Sequence, residues 1–164
     1  MKGLDNALYV ILSIISNLIA VFLFVASIKW QRIARLSFFL LFAWASWTNW
    51  KTTIQNPEAY LEYASLTWSK WYESFITGWF AKHICLMVGL IATSQALIAV
   101  SMLLRGWIYA LGCLSAVIFL LAILPFGIGA GFPSTGLMAV ACFILFKKQP
   151  VDFIWKGKSK ISIA

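Results

Sequence analysis

The chain has 164 residues, 62% of them hydrophobic and 11% charged, with a mean hydropathy of +0.89. Soluble domains are about half apolar and a quarter charged, so this composition excludes a soluble globular protein and predicts one integral membrane domain. The net charge of +8 does not point to nucleic acid, because five of the thirteen Lys and Arg fall in the last eighteen residues and three more are Lys29, Arg32 and Arg35; clusters beside apolar spans read as lipid-facing flanks.

The first apolar run, Ala7 to Ile28, exceeds the roughly 7–15 residues of a secretory signal core and predicts a span. Ser13, Ser16 and Asn17 share one face of it and read as interhelical hydrogen-bonding groups. A second span is expected over 33–50, ending in Asn49 and Lys51 beside Trp47 and Trp50.

The connection that follows, Lys51 to His83, is long and rich in aromatics. Asn56-Pro57-Glu58 has the residues of a helix start: a capping Asn, a Pro suited to the first turn and an acid at the positive end of the dipole. Leu61, Ala64, Trp68, Trp71, Phe75 and Trp79 then recur at three or four residues. Glu58, Glu62, Ser65, Ser69, Glu73 and Thr77 repeat likewise on another face. This predicts an amphipathic interfacial helix over 57–80, or two short ones broken near Thr67.

Three further spans are expected over 84–104, 107–124 and 132–147, with a basic tail over 148–164. Gly89, Ala92, Ala96 and Ala99 form a small-residue stripe on the third span, and Gly106/Ala110 and Gly112/Ala116 recur on the fourth, where helices can approach closely. Gln95 lies mid-span beside the first stripe. The run Gly127-Ile128-Gly129-Ala130-Gly131 reads as a flexible outer turn, since it follows an apolar helix rather than a strand.

Within lipid every backbone donor must be satisfied on its own segment, so the spans are helices and the fold class is an all-α polytopic bundle of five transmembrane helices. With the N-terminus outside, the inner side holds nine Lys and Arg (29, 32, 35, 105, 147, 148, 156, 158, 160) and the outer side four (2, 51, 70, 82). That asymmetry predicts an outside N-terminus and a cytoplasmic C-terminus.

Polar groups in such a bundle are the candidate sites. Asn49, Lys51, Glu62, Glu73 and His83 fall at one predicted level and form a candidate ligand pocket under an aromatic roof. His83, Trp79 and Gln95 are the candidate cofactor contacts, for a quinone or for a haem or chlorophyll-type pigment held by His83 as single axial ligand; a haem held by two histidines is excluded within a chain that has only one. No catalytic motif and no metal-ligand cluster is present. Cys85, Cys113 and Cys142 each lie in an apolar segment without local partners and read as packing residues, although spans distant in sequence could bring two of them together.

From Arg35 onward the layout resembles the DoxX-like group of small bacterial membrane proteins, over about residues 35–147. RLSFFLLFAWASWTNW is similar to that family's opening span, NPEAYLEYA to its loop helix, and GLIATSQALIAVSMLLRGWIYALG to its second span, arginine turn and third span. Gln95 stands where the family commonly has an acid, and the first helix is an addition. The resemblance implies a four-helix unit in a bacterial inner membrane, working with partner subunits of a redox assembly, and it transfers no catalytic residue. The function expected is therefore a non-catalytic accessory subunit whose aromatic periplasmic platform receives a quinone, pigment or partner helix. The alternatives are a small-molecule transporter or channel, and a redox enzyme using buried thiols or a His-ligated cofactor.

Overall fold

The computed structural model describes residues 7–149 and 153–155. Lys2, Lys156, Lys158 and Lys160, which carry part of the predicted charge asymmetry, lie outside them. The described residues are helical throughout, with no strand. Five long helices, α1 (Ala7–Lys29), α2 (Gln31–Gln55), α5 (Ile84–Leu103), α6 (Gly106–Ile123) and α7 (Ser134–Lys147), pack in the cyclic order α1–α2–α5–α6–α7 and close on α1.

Three stretches are long and apolar enough to cross a membrane: Val10–Lys29, Ile84–Leu103 and Gly106–Gly127. The apolar α7 has only 14 residues, and α2 has 25 but carries more polar side chains.

The segment between α2 and α5 forms a lid that is not one continuous helix over 57–80 but follows the alternative, interrupted at Thr67. Pro57–Glu62 winds as a 3-10 turn into α3 (Tyr63–Leu66), the chain extends at Thr67, and Ser69 caps α4 (Lys70–Phe75), which continues as a π-helical turn over Ile76–Phe80. Thr67 breaks the helix because its side chain and its neighbour bond elsewhere. Its hydroxyl donates to the Pro125 carbonyl at 2.7 Å, and the Trp68 N–H reaches the same carbonyl at 3.4 Å.

That carbonyl belongs to the glycine-rich segment, which is a short helical turn and not an irregular loop. Leu124–Ala130 winds as a 3-10 segment, bent at Gly127 with φ +67°. A side chain at Gly127 would start 3.3 Å from the Leu66 carbonyl, so only glycine lets the lid sit this close.

At the opposite, basic end the helices are tied by backbone carbonyls. Lys148 Nζ donates to the Ser27 carbonyl at 3.1 Å, Gln31 Nε2 donates to the Lys148 carbonyl at 3.0 Å, and the Ile154 N–H reaches the Leu103 carbonyl at 3.4 Å. Arg35 corrects its assignment to a lipid-facing flank: it is 2% exposed, and its Nε donates to the Met102 carbonyl at 2.9 Å. A buried guanidinium belongs there because the last carbonyls of α5 lack helical partners and carry the negative end of its dipole.

Between the two ends lies a packed core of Ala20, Leu23, Ala26, Phe38, Ala99, Met102, Cys113, Ala116 and their neighbours. Small residues bring the helices close. Gly89 meets the Trp50 indole at 3.3 Å from where a Cβ would be, and Gly112 lies against Ser101, whereas Gly106 faces open space and serves the α5–α6 turn with φ +65°.

Candidate intramembrane binding site

Toward the lid the core stops short, leaving a cavity of about 350 Å³. All five long helices and the lid contribute to its wall. Leu41, Phe42 and Ala45 come from α2, Met87, Val88 and Ile91 from α5, and Phe119, Leu120 and Ile123 from α6. Tyr60, Tyr63, Phe75, Ile76 and Phe80 of the lid form the roof. The volume suits a drug-sized ligand, and an apolar wall with a few polar groups is the usual composition of such a site.

The polar groups fall in two sets. On one side the Tyr60 hydroxyl donates to Asn49 Oδ1 at 2.9 Å, and Asn49 Nδ2 donates to Gln95 Oε1 at 2.7 Å. This chain of bonds ends at the Gln95 amide nitrogen. On the other side are Ser16, Ser134 and Thr135. Ser134 donates to the Gly131 carbonyl, and Ser16 to the Ser13 carbonyl at 2.9 Å, while the buried Thr135 hydroxyl has no partner among the described residues.

The bonds of Ser16 and Asn17 are therefore within α1 and not between helices as expected; Asn17 Nδ2 also turns back to the Ser13 carbonyl, at 2.8 Å. A hydroxyl or amide one turn after a free carbonyl lone pair finds it without help from a neighbouring helix.

Of the residues singled out in the sequence, the structure bonds Asn49 to Gln95, places Glu62 in a recess that Asn49 also lines, and carries Lys51, Glu73 and His83 elsewhere. Lys51 stands over the Trp47 ring, 5.4 Å from its centroid. Glu73 is exposed in the first turn of α4. Glu62 lines a smaller recess of about 260 Å³ with Thr48, whose buried hydroxyl is also unpartnered. His83 lies beyond the cavity wall, stacked on Trp79 at 4.6 Å, with Nδ1 3.0 Å from the Trp79 carbonyl. The Nδ1–H tautomer donates to that carbonyl and turns Nε2 into the free acceptor, the one ring atom able to bind a metal. Among the described residues no three of His, Cys, Asp and Glu gather as metal ligands.

The lid's aromatic residues divide by face. Trp68, Trp71 and Trp79 are half or more exposed, whereas Phe80 and Ile76 are buried. Trp71, Phe75, Trp79 and His83 stack in sequence along the lid at 5.8, 6.0 and 4.6 Å. The tryptophans thus face outward and the cavity is roofed by tyrosine, phenylalanine and isoleucine. Burial pushes the Tyr63 phenol up, with Tyr60 and Glu62 adding to it, and burial raises Tyr60 as well. Both stay neutral hydrogen-bonding groups at physiological pH.

Sequence reasoning passed over Tyr60, Tyr63 and Thr135. The findable signal was a tyrosine pair at i, i+3 on the predicted lid helix; nothing local marks Thr135. All three cysteines are free thiols, Cys85 exposed and Cys113 and Cys142 buried. A maleimide should therefore modify one cysteine per folded chain and three after denaturation, counted by intact mass. Two or more fast-reacting thiols in the folded protein would contradict this packing.

No protein-family model, curated protein or solved structure matches this chain.

Proposed function

We propose that this protein is a five-span membrane protein, N-terminus outside and C-terminus cytoplasmic in a bacterial inner membrane, that holds a small, mostly apolar molecule beneath its lid. The observation that carries the reading is the cavity itself, lined by every long helix and reaching Gln95, twelve residues into α5. At 1.5 Å per residue that is roughly 17 Å from the lid end of the helix, about midway across a bilayer core.

Five spans are supported by which way α2 turns its side chains. Ile33, Leu36, Leu40, Trp44, Trp47 and Ile54 face outward and exposed, while Arg35, Ser46 and Thr53 are buried. An average over the helix counts those inward polar groups against it, yet lipid would meet only the outward ones. The short α7 behaves likewise, exposing Val140 and Phe143.

Among the described residues the cavity wall contains no Asp, Glu, Lys, Arg, His or Cys, which favours binding over chemistry there. The role is accordingly that of a ligand-holding accessory subunit. The DoxX-like order of four helices with an aromatic loop after the first is what points toward a redox assembly, and a quinone is one member of the ligand class. The lid then serves as cover for the site more than as an open platform.

Gentle extraction from native membrane, followed by native mass spectrometry and a visible spectrum, tests this. An organic molecule is expected to accompany the folded chain and to be lost in Ala45→Trp, which places an indole in the cavity. A wild-type chain that carries nothing and binds no apolar probe would overturn the reading.

A further inference from the structure

Resting on that reading, we propose that the site selects a neutral ligand bearing a carbonyl group, gripped by Gln95 and Thr135 at the polar end of an otherwise apolar molecule. The first support is two independent unmet hydrogen-bonding groups in one cavity. Gln95 is 3% exposed and its oxygen is used by Asn49, but its amide nitrogen donates to no described residue. Thr135 is 5% exposed, lines the same cavity, and its hydroxyl has no partner among the described residues. Buried polar groups in native proteins are nearly always satisfied, and in a membrane no bulk water is at hand to satisfy them. A buried hydroxyl without a partner among the described residues and an amide N–H on the same cavity wall are what a bound polar head would complete.

The direction of the bonds fixes what that head must be. The Tyr60 hydroxyl donates to Asn49 and Asn49 donates to Gln95, so the end of the relay left facing the cavity is an N–H donor. Thr135 can donate too, since a hydroxyl rotates to suit its partner. It sits in the first turn of α7, where the helix carries partial positive charge. Donors and a positive dipole end ask for an oxygen acceptor. Ionised acceptors and ammonium groups are disfavoured, because among the described residues none of opposite charge lines the cavity and an unpaired charge in low dielectric is costly. A ketone or ester carbonyl meets both conditions.

Four probes of matched chain length separate these ideas on the full-length protein in nanodiscs: decan-2-one, decane, decanoate and decylamine, with binding followed by displacement of the co-purified molecule and by isotope-edited infrared of the ketone. The ketone should bind best and its carbonyl stretch should fall to lower frequency on binding, while decanoate and decylamine should bind weakest. Gln95→Leu and the near-isosteric Thr135→Val should each weaken the ketone roughly fivefold, the loss of about one hydrogen bond, and leave decane unchanged. A purely structural role for either residue would weaken both ligands alike. Equal binding of ketone and decane, with no infrared shift, would overturn the carbonyl preference while leaving the apolar site intact. Failure of all four probes would overturn the site. The wild-type comparison decides the matter even where Gln95→Leu, which strands the Asn49 amide, does not fold.

Discussion

Gly112→Ala should abolish most of the folded yield, although alanine is intrinsically the better helix former by about 1 kcal/mol. A Cβ at Gly112 would lie 1.6 Å from Ser101 Oγ and 2.4 Å from Ser101 Cβ. Rotating the serine hydroxyl away answers the first clash but not the second, so α5 and α6 must separate along their contact. Overpacking of a well-packed core costs about 1–3 kcal/mol and occasionally more, and this site belongs at the upper end because both partners are helix backbone positions. Ser101→Gly in the same chain removes both offending atoms and leaves the nearest one, Ser101 Cα, at 3.7 Å, an ordinary contact. The double variant should therefore recover folding to near wild type, since the helical glycine added at 101 is offset by the one removed at 112. Size-exclusion profiles and thermal unfolding in detergent read both results. A Gly112→Ala protein as stable as its parent would disprove the close crossing.

Arg35→Leu is expected to cost about 2–4 kcal/mol, estimated from leaving two buried carbonyls without donors. For a chain of this length that is roughly a 10 °C fall in melting temperature. The guanidinium reaches from α2 to the Met102 and Leu104 carbonyls at the end of α5 and lies 4.8 Å over the Tyr109 ring. Tyr109, fully buried, passes the connection to the Leu145 carbonyl of α7 at 3.2 Å. Two side chains, Arg35 and Tyr109, thus join four helices at the basic end. Arg35→Lys should fall in between, because an ammonium keeps the charge but lacks the planar fork that serves two carbonyls while stacking on a ring. Unchanged melting of Arg35→Leu would show that these carbonyls find water and that the basic end is open.

Much of the fold was legible along the chain. The apolar runs placed the long helices to within a few residues on most sides, and the broken lid followed from its repeat and from Thr67. Gln95 was legible as an inward group because it sits on a stripe of small residues. Less of the site was legible. Asn49 was named among charged companions, yet the side chain it bonds across the bundle is Gln95, 46 residues away and assigned to a separate set. Lys51, Glu73 and His83 share its predicted level but turn elsewhere, and level alone does not bring side chains together.

By itself the sequence determined that this chain is helical and apolar enough for lipid, where its long helices run and which short segments carry polar groups. These follow from hydropathy, from caps and from the need to satisfy each backbone within its own turn. Only the tertiary structure decided that Arg35 is a buried clasp and not a flank, that the tryptophans face away from the cavity, and that Thr135 and the Gln95 amide are left unmatched inside it. The physical reason is that local rules act over one helical turn, whereas the rotation of each helix about its axis is set by packing against neighbours up to about a hundred residues away.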